Sequence, residues 1–155
     1  MYQVTSRHVY EQPTLVMTGK MRVEEIKDWI GTAYARVAEQ VGKLGLTFAG
    51  PPFARYRPLD ESFEEFEIEA GFPIDRPASG VGEVTSSSLP GGTAAVVTHI
   101  GPYDQMRPAY EAIQSWIEAK GGTSSDVPWE VYYSDPVAEP DPSTWRTEIY
   151  QPYIA

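Results

Sequence analysis

Two hydrophobic rhythms alternate along the chain, and the alternation occurs twice. The run PTLVMTG, residues 13 to 19, is apolar and short enough to predict a strand. After it, Ile26, Ile30, Ala33, Val37, Val41 and Leu44 fall three and four apart, which predicts an amphipathic helix. Gly42 and Gly45 lie where that helix would stop. Residues 93 to 99, rich in Ala, Val and Thr, predict another strand. Met106, Tyr110, Ile113 and Ile117 then give a second helical stripe, ended by Gly121-Gly122. Gly101-Pro102 turns the chain between the two, and Asp104 is the N-cap candidate. Pro108 falls in the first turn, where a missing N–H is tolerated.

Each helix is followed by a proline, an aromatic and a short strand. Pro52-Phe53-Ala54-Arg55-Tyr56 lies over Pro128-Trp129-Glu130-Val131-Tyr132. A last strand follows in each copy, and aligning FEEFEIEAGFP with STWRTEIYQP on the final proline matches Glu69 with Glu148 and Phe66 with Trp145. Ahead of each helix, residues 2 to 10 are predicted to pair with 13 to 19 around Gln12-Pro13, and residues 81 to 89 with 93 to 99 around LPGG. The order is ββαββ, twice: an α+β chain with a first repeat at 1–76 and a second at 80–155. One helix per half cannot cover its strands alone, so IDRPASGVG reads as a linker inside a single domain, 1–155.

Strand alternation assigns faces. Phe66, Ile68, Ala70 and Phe72 share one face and are expected under the helices; Glu65, Glu67 and Glu69 share the other. The sheet surface away from the helices is expected to carry Glu69, Glu148, Tyr56, Tyr132 and Tyr150. Carboxylates interleaved with tyrosines suit a cationic aromatic ligand, with rings stacking on it and a carboxylate as countercharge. Glu65 and Glu67 read as a solvated face. Glu148, between Trp145 and Tyr150, reads as the pocket acid.

Composition narrows the chemistry. At 155 residues and 41% hydrophobic content the chain can bury a core. It has no cysteine and only His8 and His99, so thiol chemistry and the usual zinc sites are excluded, and no metal or cofactor is expected. The net charge of −10 argues against a phosphate-binding surface, and no direct nucleic-acid contact is expected. No apolar run reaches spanning length and the N-terminus lacks a signal-peptide core, so no membrane association and a cytoplasmic location are expected. With 10 Tyr, 4 Trp and 5 Phe, rings are abundant enough to line a ligand site as well as a core. No Ser-His-Asp ordering, G-x-S-x-G elbow or P-loop occurs, and His99, at a strand end, reads as structural.

HIGPYDQMRPAYEAIQSWI, PWEVYYSDP and TEIYQP together resemble the GyrI-like small-molecule-binding domain. This is the effector-binding domain of AraC-type and MerR-type multidrug regulators, also found alone. The resemblance spans nearly the whole chain. It includes H-x-G-P-Y at His99, Tyr132 followed by Asp135-Pro136, and E-x-x-x-P from Glu148 to Pro152. It implies two pseudo-twofold halves forming an antiparallel surface, one main helix per half, and a ligand cleft between the halves. It also implies a buried glutamate among aromatics, matched by position to Glu148, with Tyr103 at the cleft mouth. The expected ligand-binding set is Glu148, Tyr150, Trp145, Tyr132, Tyr133, Tyr110, Tyr103, Tyr56, Phe53 and Glu69. No helix-turn-helix pattern precedes the first strand, so the chain is not expected to activate transcription by itself. The expected function is a stand-alone binder of hydrophobic, cationic aromatic compounds, for sequestration or sensing, with room for a protein partner or a homodimer. The alternatives are a hydrolase of cyclopropane-containing genotoxic natural products, with Glu148 as a general base of raised pKa, and a protein inhibitor of DNA gyrase.

Overall fold

The structure is a computed structural model and describes residues 2–134 and 138–155; Asp135 and Pro136 lie outside the described residues. The chain runs β1 (Thr5–Val9), β2 (Gln12–Arg22), α1 (Ile26–Lys43), β3 (Phe53–Pro58), β4 (Glu65–Pro73), β5 (Thr85–Leu89), β6 (Gly92–Ile100), α2 (Arg107–Ala119), β7 (Thr123–Ser124), β8 (Trp129–Tyr132) and β9 (Arg146–Ile154). It divides into two compact units, one of residues 11–89 and the other of the segment up to Tyr10 with residues 90–155.

In the 11–89 unit the antiparallel order is β3-β4-β2-β5. Helix α1 buries Ala33, Val37 and Val41, the spacing read from the sequence, and Leu15, Ile68 and Ala70 are fully buried in the same unit. In the other unit the order is β1-β6-β9-β8, with β7 on the end of β9. Helix α2 closes its core with Ala109, Ile113 and Ile117 on Ala95, Val97, Ile149 and Tyr153.

The two predicted N-terminal hairpins do not form. β1 pairs with β6, Arg7 opposite Ala94, and β5 pairs with β2, Ser87 opposite Thr14. Each repeat has given its first strand to the other. The exchange is invisible locally because Arg7 and Ser87 take equivalent places, each opposite a residue (Ala94, Thr14) that lies four before a threonine (Thr98, Thr18) facing the glutamate of the last strand. A repeat pattern fixes which strand type belongs beside β2 or β6, not which copy supplies it.

At the helix entry, Gly101 adopts φ 136, a conformation that favours glycine, and its N–H bonds Trp145 O at 2.8 Å. Pro102 then leads into a single 3₁₀ turn, Tyr103–Gln105, which holds Asp104. The expected Asp104 cap is therefore not made: α2 begins after Met106, with no side-chain cap and with Pro108 inside its first turn. After α2 the chain forms the short strand β7, Thr123–Ser124, which pairs with the end of β9. No helix of the described residues is long and apolar enough to cross a membrane.

Candidate functional site

β8 is four residues long, and its register against β9 decides which residues share a face. Trp129 is opposite Tyr150, Glu130 opposite Ile149, Val131 opposite Glu148 and Tyr132 opposite Thr147. Ile149 belongs to the core under α2. Glu130 and Tyr132 therefore face the helix, and Trp129 and Val131 face away with Tyr150 and Glu148. This corrects the placement of Tyr132, expected on the outer face. Tyr56 is corrected in the same way: it sits opposite Ile68, and its ring meets the edge of Phe66 at 6.5 Å, on the face of β4 opposite Glu69.

On the outer face Glu148 is almost fully buried and its oxygens are saturated. Tyr133 and Tyr150 hydroxyls donate to Oε1 at 2.8 and 3.0 Å. Arg146 Nη2 donates to Oε2 at 3.1 Å, and Arg7 Nη2 lies 3.8 Å from the same oxygen. Burial pushes this carboxyl up, but the two phenols and the two guanidinia outweigh it and hold it below its ordinary value. The raised pKa expected of Glu148 as a base is thus reversed. Trp129 stacks on Tyr150, centroids 5.3 Å apart and 3° from parallel.

On the helix face Glu130 is only 8% exposed. Tyr110 donates to its Oε2 in a short hydrogen bond, and Tyr132 donates to Oε1 at 2.8 Å. Among the described residues no arginine or lysine forms an ion pair with it. Burial pushes the Glu130 carboxyl up, only partly offset by the two tyrosines and the nearby His99. Tyr103 extends the ring wall, 5.3 Å from Tyr132 and 4.7 Å from Trp145, with its hydroxyl on Ser134 O at 3.3 Å. These rings are all half-buried. His99 is committed on both sides, its Nδ1 hydrogen-bonded with the Tyr2 hydroxyl at 2.8 Å and its Nε2 donating to Pro102 O at 3.0 Å, which fits a structural role. Thr147, between His99 and Tyr132 in register, has a buried hydroxyl with no hydrogen-bond partner among the described residues, an open polar position beside the rings.

The ten residues selected from sequence thus separate. Glu148, Tyr150 and Tyr133 come together on the outer face. Tyr132, Tyr110, Tyr103 and Trp145 come together on the helix face. The other three belong to the 11–89 unit: Tyr56, as above; Phe53, 1% exposed and opposite Gly71; and Glu69, bonded by Ser87 Oγ at 3.2 Å. Burial raises the Glu69 carboxyl, against the opposing pull of Arg55, Ser87 and Arg57. Sequence reasoning missed Glu130, Trp129, Arg7 and Arg146. The signal for Glu130 was present: it is two residues from Tyr132 in one strand, so the two must share a face. Nothing in the sequence announces Arg7, because β1 reaches Glu148 only through the strand exchange.

A family model described as the GyrI-like small molecule binding domain matches residues 3–154. Among solved structures, the EcmrR C-terminal domain shares 25% identity over 99% of this chain and 98% of its own, with a TM-score of 0.82. In the EcmrR–DNA complex the likeness is 24% identity and TM-score 0.84 over 98% of this chain, which spans only 57% of the EcmrR chain. A structure described as a hydrolase from Listeria innocua aligns at 16% identity over 98% of this chain and 92% of its own, TM-score 0.71. SAV2435, solved bound to tetraphenylphosphonium, aligns at 9% identity over 99% and 94%, TM-score 0.62. No curated protein is a significant match to the chain.

Proposed function

From the premise that this chain belongs to the family of GyrI-like small-molecule-binding domains, we propose that it binds lipophilic, cationic aromatic compounds, with Glu130 as the countercharge. One observation carries the reading. Glu130 is a buried carboxylate held by the Tyr110 and Tyr132 phenols, with Tyr103 and Trp145 continuing the ring wall from Tyr132, and without a basic ion-pair partner among the described residues. A buried charge is costly unless something compensates it, and a bound cation would supply the compensation while the rings supply contact area and cation–π attraction. Glu148 is less suited to this task, because Arg7 and Arg146 already neutralise it. Tetraphenylphosphonium, the cation on SAV2435, is a fitting first probe.

The test is a fluorescence titration with a rhodamine, in competition with tetraphenylphosphonium. Replacing Glu130 with Gln should weaken cations by about ten- to a hundredfold, the range for losing a charge-assisted contact, and leave a neutral analogue nearly unchanged. Loss of cation binding in Glu148→Gln but not in Glu130→Gln would transfer the role back to Glu148.

Hydrolysis of electrophilic substrates is a second reading, favoured by one feature: a carboxyl raised by burial, beside two phenol donors, is poised as a general base. Mass spectrometry of a cyclopropane-containing electrophile would separate the readings, since turnover gives a water adduct and binding alone returns the compound unchanged.

A further inference from the structure

The outer face of the β1-β6-β9-β8 sheet, opposite Glu130, carries a groove of about 350 Å³ over β1 and β6. Thr5, Arg7 and Thr98 give it a polar wall, and Val96 and Ile100 an apolar floor. Ile100 is 57% exposed, so its side chain is available for contact with a ligand. Register sets Val96, Thr98 and Ile100 directly beside Tyr150, Glu148 and Arg146 on the same face. Arg7 lines the groove itself, and Arg146, opposite Ile100 in register, stands beside it.

Those two guanidinia converge on one atom, Glu148 Oε2. Two positive charges against one carboxylate leave a surplus of one, on a chain whose net charge is −10. Each guanidinium has five N–H donors in a fixed plane. Arg7 uses Nη1 on the Tyr150 hydroxyl at 3.0 Å, and Arg146 lies 4.6 Å over the Tyr133 ring. Both side chains remain about half exposed, 48% and 49%, so donors on each still reach solvent. Glu148 and the tyrosines hold the two guanidinia in place, which lowers the entropy lost when a ligand engages them.

We propose that this groove is a second binding site, for a small amphipathic anion. Its carboxylate or phosphate head sits between Arg7 and Arg146, accepting charge-assisted hydrogen bonds, and its apolar body lies along Val96 and Ile100. The site is separate in chemistry from Glu130, which faces the other side of the sheet and favours the opposite charge.

The probes are benzoate and phenyl phosphate, titrated into the full chain and followed by backbone amide shifts, with benzyl alcohol as the uncharged control. Saturable shifts at β1 and β6 amides with either anion, and none with benzyl alcohol, are expected; the tighter anion identifies the preferred head group. Arg7→Gln should weaken the anion by about tenfold. Ile100→Glu, at an exposed position, should abolish binding by placing a negative charge on the floor. Glu130→Gln should leave anion affinity unchanged while weakening cation affinity, so the two sites fail or stand separately. No saturable shift up to about 10 mM of either anion, a range that reaches interactions weaker than about 4 kcal/mol, would overturn the proposal. So would equal shifts with benzyl alcohol, or undiminished binding by Ile100→Glu.

Discussion

Glu130 and Glu148 stand on neighbouring strands and face opposite ways, and their surroundings push their carboxyls in opposite directions. Glu148 is held below its ordinary value, so its ionised form stabilises the fold above the ordinary carboxylate range. That contribution is lost as pH falls through the lowered value. Glu148→Ala should therefore destabilise the protein at neutral pH by about 1–3 kcal/mol, the cost of leaving buried hydrogen-bonding groups unpaired, and the difference from wild type should shrink in acid; chemical denaturation across pH measures this. Glu130 is raised, so ionising it costs stability, and the cost grows as pH climbs from the ordinary value through the raised one. Glu130→Gln should melt higher than wild type at neutral pH, by about 2–4 °C for each kcal/mol relieved in a chain of this size, and the gain should vanish in acid. The same sign governs ligand affinity. A cation binds the ionised carboxyl, so its affinity should fall on acidification through the Glu130 titration while a neutral analogue stays flat, which calorimetry at several pH values would register. A protein that became less stable on Glu130→Gln at neutral pH would refute the electrostatic account.

At the scale of elements, the helices were legible because burial imposes a 3.6-residue period that neutral drift cannot imitate over three turns. Ala33, Val37, Val41, Ile113 and Ile117 were all placed correctly by spacing. Replacing Ile113, 2% exposed in the α2 core, with Ala should cost about 2–5 kcal/mol by the lost burial and the cavity left behind, as a urea midpoint would show. The Gly-Pro corner was legible as a break but not as a geometry. Gly101 stands at φ 136, and Gly101→Ala should cost about 1–3 kcal/mol of backbone strain. A wild-type melting temperature in that variant would mean the corner relaxes. Strand faces were legible only where a strand was long. The alternation in β4 placed Phe66, Ile68 and Ala70 under α1 correctly, whereas β3 and β8, at six and four residues, were read one position out of phase. In a short strand one aromatic suffices to mislead, since Tyr and Trp serve on either face. The acidic stretch around β4 also changes meaning with register. Lys20 and Arg57 lie opposite Glu67, so the negative charge is locally paired, which disfavours a nucleic-acid-like surface.

At the scale of the molecule, the strand exchange makes the repeats mutually dependent. A fragment of residues 1–76 lacks β5 and leaves one edge of β2 unpaired, whereas 11–89 holds every strand of its unit. Circular dichroism melts should show a cooperative transition for 11–89 and none for 1–76; cooperative unfolding of 1–76 would show that β5 is dispensable. The sequence by itself determined that the chain is α+β, that it is written twice, where both helices run, and the family whose motifs it carries. These are properties of local periodicity and of residues close in sequence, which the chain records directly. Only the tertiary structure decided which copy supplies each first strand, which way the short strands face, and hence that Glu130 has no basic ion-pair partner among the described residues while Glu148 is neutralised by Arg7 from the far end of the chain. Those outcomes depend on register and on charge pairs separated by well over a hundred residues, and a carboxylate's chemistry is set by what surrounds it rather than by its place in the sequence.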